Sequence, residues 1–227
     1  MNDRMTRRPE TTSTRAVRGN TYKLLAECYQ RPDGELVETV KAEARSGRVD
    51  PRFAEVRDSL PEDVESLKVD YGKLFAGPFE VHAPPYGSVY LEGERRVMGE
   101  STRDAARLYR EAGVDIDFEE PPDHVAAELE FVYYLLAREI GAAEEDADAA
   151  AFYLHKRKEF LETHLGSWVG EFSRDVEENS ETAFYEELAQ FTRTYVNEEI
   201  ERLPDDPTPE DAGTQPSDAE FQGGEDR

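Results

Sequence analysis

The residues best suited to chemistry lie in one short run, Glu120-Pro121-Pro122-Asp123-His124, with Glu128 four positions beyond His124. A carboxylate beside an imidazole at a proline-stiffened helix start could form a general acid–base pair or supply two metal ligands. His155 and His164 are available as remote ligands. The same residues have a plainer use, in which Asp123 caps the following helix and His124 hydrogen-bonds locally, with Glu128 at i+4. Successive helical residues point about 100° apart, so Asp123 and His124 make a poor ligand pair without help. No acidic run has calcium-loop spacing, no Gly-rich loop follows a strand, and no nucleophile elbow surrounds Ser88. A metal-dependent hydrolase built on Asp123, His124, His155 and His164 is therefore an alternative reading, not the leading one.

A second segment is suited to binding. Leu74-Phe75-Ala76-Gly77-Pro78 runs on to Ala83-Pro84-Pro85-Tyr86-Gly87-Ser88-Val89-Tyr90. Prolines stiffen the backbone, while Tyr86 and Tyr90 offer apolar area with a polar tip. Such a loop can wall a peptide groove or fold its aromatics back onto the helices, and the residues leave both open. Trp168, after His164-Leu165, reads as core.

These segments need a scaffold, and its pattern is helical. Val17, Thr21, Leu24, Leu25 and Cys28 share one face of a first helix that stops near Arg31-Pro32. Leu36, Val37, Val40 and Ala44 mark a second, ending at Ser46-Gly47. Val64, Leu67, Tyr71, Leu74 and Phe75 mark a third, with Pro61 in its first turn and Gly77-Pro78 as its stop. Residues 78–100 are broken by Pro and Gly and read as a long ordered loop. Ser101 and Asp104 resemble a capping pair for a helix through Leu108 and Tyr109, with Gly113 just past its end. Asp123 is placed to cap the most apolar helix, through Leu129, Val132, Leu136 and Ile140. Phe152, Phe160, His164 and Leu165 mark a further helix leading to Trp168, and Tyr185, Leu188, Phe191 and Tyr195 mark the last. No convincing alternating β pattern appears. The expectation is an all-α, single-domain bundle of about seven to ten helices over residues 14–203. A disordered N-terminal arm over 1–13 and a disordered acidic tail over 204–227 flank it. Arg7-Arg8 is followed by Pro9, Glu10 and two threonines, not by an apolar stretch, so it does not read as an export signal.

Composition removes several function classes. The 227 residues carry 52 acidic against 27 basic side chains, a formal net charge of −25. Such a chain is unsuited to neutralising nucleic-acid phosphates or lying on an anionic membrane. No apolar run approaches the roughly 20 residues that span a bilayer. One cysteine, Cys28, excludes a disulfide framework and a cysteine-based zinc site. The basic residues are mostly Arg and the acidic excess is spread along the chain, the composition expected in multi-molar salt.

Read in order, the motifs carry a resemblance. Tyr71-Gly-Lys-Leu74-Phe75, Ala83-Pro-Pro-Tyr-Gly-Ser-Val-Tyr90, Glu120-Pro-Pro-Asp-His124, Glu128-Leu-Glu-Phe131 and His164-Leu-Gly-Ser-Trp168 resemble the TorD/DmsD/NarJ family. These are cytoplasmic chaperones dedicated to molybdoenzyme maturation, and the likeness covers roughly residues 15–200. Gly87 departs from the acidic residue expected between the tyrosine and serine of that loop. The resemblance implies a TorD-like helical fold, no catalytic turnover and no cofactor of the chaperone's own. It implies as partners the twin-arginine leader and apo-form of a molybdopterin oxidoreductase of the DMSO-reductase type, held back from export while its cofactor is inserted. The client-binding surface it implies comprises Leu74, Phe75, Pro85, Tyr86, Ser88, Glu120, Pro122, Asp123, His124, Glu128 and Phe131. Carboxylates there, with Glu119, would meet the arginines, and Leu74, Phe75, Tyr86 and Phe131 would meet the apolar stretch. A generic helical adaptor using another face is a further alternative.

At about 0.01 M ionic strength, where the Debye length is about 30 Å, the net charge of −25 is poorly screened and the fold is expected to lose stability. Thermal melts across a salt series should show Tm rising toward multi-molar salt. A melting temperature independent of salt would contradict adaptation to it.

Overall fold

A computed structural model describes residues 11–77, 81–92, 97–114, 120–143 and 145–204. Residues 1–10 of the expected arm, 205–227 of the expected tail, and Glu119 lie outside them. Helix α1 (Thr12–Cys28) begins inside the stretch expected to be unstructured, because Thr11 caps it by accepting the Thr14 N–H at 3.2 Å. Asp33 caps α2 (Gly34–Ser46) in the same way, at 2.8 Å from the Leu36 N–H. Gly47 closes that helix at φ +72° and Gly113 follows the sixth at φ +80°, a region costly for any residue with a Cβ.

A short helix, α3 (Phe53–Asp58), was not legible in the sequence pattern. The next, α4 (Val64–Tyr71), is capped by Asp63, so Pro61 precedes it and does not occupy its first turn. It widens into a π-helical turn, Gly72–Ala76. That turn directs the Lys73 and Leu74 carbonyls outward, and they accept the His82 and Ala83 N–H groups at 3.2 and 2.9 Å. The expected long loop contains a one-turn helix, α5 (Gly87–Leu91).

Helix α6 (Glu100–Glu111) starts two residues earlier than a cap at Ser101 with its first turn following would give. Its N-terminal pair is Gly99 and Thr102, the Gly99 N–H donating to Thr102 Oγ1 at 3.1 Å, while Ser101 bonds Glu92. Helices α7 (Val125–Ala142), α8 (Ala147–Thr163), α9 (Leu165–Asn179) and α10 (Ala183–Arg202) complete the chain. The expected run from Phe152 to Trp168 is thus two helices, broken at His164 with φ −118° and ψ −99°.

The architecture is all-α, with no β-strand among the described residues. Helix α1 lies along α7, α7 along α8, and α9 along α10, while α5 wedges between α6 and α9. The apolar stripes meet in one core through Leu25, Tyr29, Leu129, Val132, Phe160, Trp168, Phe172, Tyr185 and Tyr195, as crystal-like packing requires.

Two polar joints lie inside this core. Fully buried Asp70, on α4, accepts the Glu181 and Thr182 N–H groups and the Thr182 hydroxyl, at 2.7–3.1 Å, and so secures the start of α10. Arg157, on α8, sits between Glu139 of α7, at 2.8 Å, and Glu199 of α10. Arg18 of α1 reaches Glu199 at 2.9 Å. Breaking a buried pair by removing one partner costs about 3–5 kcal/mol. Glu199→Ala is expected to lose about that much in urea unfolding, with all four helices loosening together. A loss below about 1 kcal/mol would show that the cluster does not join them.

Candidate functional site

Two short backbones meet at the site. The Val125 N–H donates to the Pro85 carbonyl and the Gly87 N–H to the Asp123 carbonyl, each at 2.8 Å, forming an isolated antiparallel bridge between Tyr86 and His124. Pro84, Pro85, Pro121 and Pro122 limit the freedom of both chains, so the bridge joins pre-stiffened segments. Asp123, expected to cap α7, instead faces across the joint. Its Oδ2 accepts the Ser88 N–H at 2.8 Å, capping α5 from a distant part of the chain. The cap of α7 is His124, whose Nδ1 accepts the Ala126 N–H at 3.1 Å. This geometry requires Nδ1 to be unprotonated, and burial lowers the His124 pKa against the opposing pull of Glu120 and Asp123.

Gly87 has a steric reason for its place. A Cβ there would lie 3.0 Å from Trp168 Nε1, so a side chain would require the indole to give by a few tenths of an ångström. That indole N–H donates to Glu128 Oε2 at 2.9 Å. The other oxygen, Oε1, has no hydrogen bond and lies 3.9 Å from His164 Nδ1, while His164 Nε2 meets Asp104 at 3.1 Å. Glu128 is 0% exposed, and its burial, with the nearby Asp123 charge, pushes its pKa well up despite the Trp168 bond.

The expected residues divide by depth. Leu74, Phe75 and Phe131 are 0%, 4% and 4% exposed, so they are core residues and not the wall of an open groove. Phe75 packs among Tyr29, Tyr71, Phe172 and Tyr185, and Phe131 among Tyr109, Tyr134 and Phe160. Pro85, Ser88, Asp123 and Glu128 are also buried. Toward solvent stand Glu120, exposed, and Tyr86 and Pro122, half-buried. The Tyr86 hydroxyl donates to Glu120 Oε2 at 3.0 Å, and its ring meets that of His124 edge-on at 5.2 Å. Burial and then the Glu120 carboxylate raise the Tyr86 pKa, which keeps the phenol protonated as a donor.

Glu120 and His124 line a cleft of about 290 Å³ with Tyr71, Gln30, Arg31 and Glu130. The sequence pattern places Tyr71 on the apolar stripe of a helix and Arg31, with Pro32, at a helix stop, and does not single out Gln30. The exposed Glu130 amid the apolar face of α7 was the available sign of a surface. His155 is exposed on α8, and among the described residues no three His, Cys, Asp or Glu groups are grouped to hold a metal ion. Among the described residues, too, no helix is long and apolar enough to cross a membrane.

A family model described as nitrate reductase delta subunit matches residues 43–174, more than half the chain. The chain belongs to that family, the TorD/NarJ family of chaperones. It is similar to the chaperone protein TorD of Shewanella loihica, 24% identical across 85% of this chain and 95% of that one. It is 30% identical to the Tat proofreading chaperone DmsD of Salmonella typhimurium over 57% of this chain and 58% of the relative. A crystal structure described as a redox enzyme maturation protein from Archaeoglobus fulgidus superposes with a TM-score of 0.58 at 26% identity. It covers 86% of this chain and 99% of the other. These TorD and DmsD relatives are named as chaperones, not enzymes, and this TorD/NarJ family chain is likewise not an enzyme.

The raised pKa of Glu128 has a definite sign for stability. Folding favours its protonated form, so the contribution is intact below the ordinary carboxylate pKa and is lost as pH rises toward the folded value. Glu128→Gln keeps an acceptor for the Trp168 N–H and cannot ionise. The urea midpoint of the variant relative to the parent is therefore expected to rise between pH 5 and pH 8. A difference that does not change with pH would mean that Glu128 does not carry this proton.

Proposed function

We infer that this chain is a cytoplasmic maturation chaperone for a molybdopterin-dependent oxidoreductase of the DMSO-reductase type. It binds the client's twin-arginine leader and apo-form, assists cofactor insertion and delays export, without turnover or a cofactor of its own. The helical part over residues 14–203 does this work. The observation that carries the reading is the exposed carboxylate of Glu120, steered by the Tyr86 hydroxyl over a cleft that also holds Glu130. A guanidinium needs an oriented carboxylate, and a tyrosine-held one is already oriented before the peptide arrives. The relatives' names, TorD and Tat proofreading chaperone DmsD, support the same role.

In this reading the site residues have two tasks. Glu120, Tyr86 and Pro122 meet the peptide, with the buried His124 ring behind Tyr86. Asp123, Ser88, Pro85, Glu128, Leu74, Phe75 and Phe131 hold that surface from beneath. Exposed ion pairs contribute about 0.2–1 kcal/mol, so Glu120→Gln should weaken binding of a synthetic twin-arginine leader by up to about five-fold at roughly 0.1 M salt. Tyr86→Ala should weaken it more, losing both contact area and the orientation of Glu120. Calorimetric titration of the full-length protein measures both. A parent protein that binds the leader no better than the same peptide with both arginines replaced by glutamine would overturn the reading.

A further inference from the structure

Among the described residues, two buried polar atoms without a hydrogen bond face each other: Glu128 Oε1 and His164 Nδ1, 3.9 Å apart. Glu128 lies in the first turn of α7, and His164 stands at the break between α8 and α9, stacked on Phe160. On its other side the imidazole meets Asp104 of α6, Nε2 to Oδ2 at 3.1 Å. Asp104 lines a cleft of about 580 Å³, and its side chain is 43% exposed. Partial burial raises its pKa, but the bonds to Arg107 and His164 hold it below the ordinary value. Asp104 is therefore a carboxylate, and Nε2 must carry the hydrogen between them. A neutral imidazole so oriented presents a lone pair at Nδ1. An ionised Glu128 would present another, and two buried acceptors would oppose each other with no donor between them. One proton on the pair removes the conflict.

We propose that Glu128 holds this proton toward His164, and that its loss switches the His164 tautomer, exchanging a bond to α6 for one to α7. In that step Glu128 Oε1–H gives its proton to Nδ1, and Nε2–H gives its own to Asp104. Asp104 releases that proton to water in the cleft and is a carboxylate again. The pair ends one proton poorer: Nδ1–H donates to an ionised Glu128, and Nε2 faces Asp104 with no hydrogen. The 3.9 Å gap exceeds a hydrogen bond by about 1 Å, so one of the two side chains must turn inward to complete the transfer. The groups facing the pair are Asp104, Arg107 and Tyr109 of α6, Asp123 ahead of α7, and the Trp168 indole of α9. Glu100, Arg103 and Arg110 line the same cleft as Asp104. Burial of Glu128 favours keeping the proton most, and the Asp123 charge adds to it, while the Trp168 N–H opposes both. Trp168 also packs against Gly87, so the exchange takes place directly behind α5.

The test is nitrogen-15 NMR of the full-length protein labelled at histidine, with the His164 signals assigned by their loss in His164→Gln. At about pH 6 Nε2 should be the protonated ring nitrogen and Nδ1 the bare one. Between about pH 6 and about pH 10 the two should exchange roles in a single transition. Glu128→Gln, which has no proton to give up, should abolish the exchange and leave the hydrogen on Nε2 throughout. Asp104→Asn should lower the midpoint by about one pH unit, because an anion beside the ring is lost. Circular dichroism confirms that each variant remains folded. A parent protein whose His164 keeps one tautomer across that range, or becomes doubly protonated within it, overturns the proposal. So does an exchange that persists in Glu128→Gln, or a midpoint unmoved in Asp104→Asn. None of these outcomes bears on leader binding, which is read from the peptide titration.

Discussion

A carboxylate taken out of water must be met by donors or keep its proton, and this constraint shapes the interior of a chain with 52 acidic side chains. The buried acids use three solutions. Asp70 and Asp123 accept backbone N–H groups from helix starts, where the helix dipole adds to the attraction. Glu139 and Glu199 surround the Arg157 guanidinium. Among the described residues Glu128 has only the indole N–H of Trp168 as a hydrogen-bond donor, and its pKa rises. Each solution joins parts of the chain far apart in sequence. The acidic excess outside governs solubility, whereas these few acids inside decide which helices meet.

The Glu120–His124 motif has to be understood in the same terms. Its most chemical-looking members, Asp123 and His124, are consumed as helix caps, and neither retains the freedom of a catalytic pair. Their contribution is positional. With the Pro85 and Asp123 carbonyls they lock α5 to the start of α7, leaving Glu120 at the rim with the Tyr86 hydroxyl upon it. In the proposed reading, a surface assembled this way would lose little entropy on meeting a peptide, because the Tyr86 hydroxyl already orients Glu120.

The long helices were legible because their apolar residues recur over several turns, as from Val125 to Ile140. Gly47 and Gly113 marked two ends through the conformation they permit. Helices α3 and α5 were not legible, since five or six residues give less than two turns of periodicity. The cap at Asp123 was misassigned by one residue for a different reason. Its partner, the Ser88 N–H, is 35 positions away, and local pattern contains no trace of it. Leu74, Phe75 and Phe131 expose the same limit from the other side. Hydrophobicity says that a side chain avoids water, but not whether a core or a groove provides the shelter. Tyr71, Gln30 and Arg31 were overlooked because a cleft is formed by elements that are not neighbours in sequence.

That limit bears on how an apolar leader would be accommodated. In this conformation Leu74 and Phe75 are closed in, with the Ala83 N–H bonded to the Leu74 carbonyl and Phe75 surrounded by four rings. Uncovering them for a peptide would mean releasing these contacts, and aromatic pairs alone contribute about 0.5–1.5 kcal/mol each. The cleft beside Glu120 mixes Arg31, Glu120 and Glu130 with Tyr29, Tyr71, Ala126 and Ala127, and its small apolar area does not repay that cost. Exposed apolar side chains occur elsewhere, with Met98 73% and Val97 45% exposed before α6 and Leu91 38% at the end of α5. Charge recognition and apolar contact are therefore separable on this surface. In strong salt the exposed pairs weaken while apolar burial does not, so affinity would shift toward contacts away from Glu120. Carboxylates at the rim would then contribute more to which peptide is chosen than to how tightly it is held.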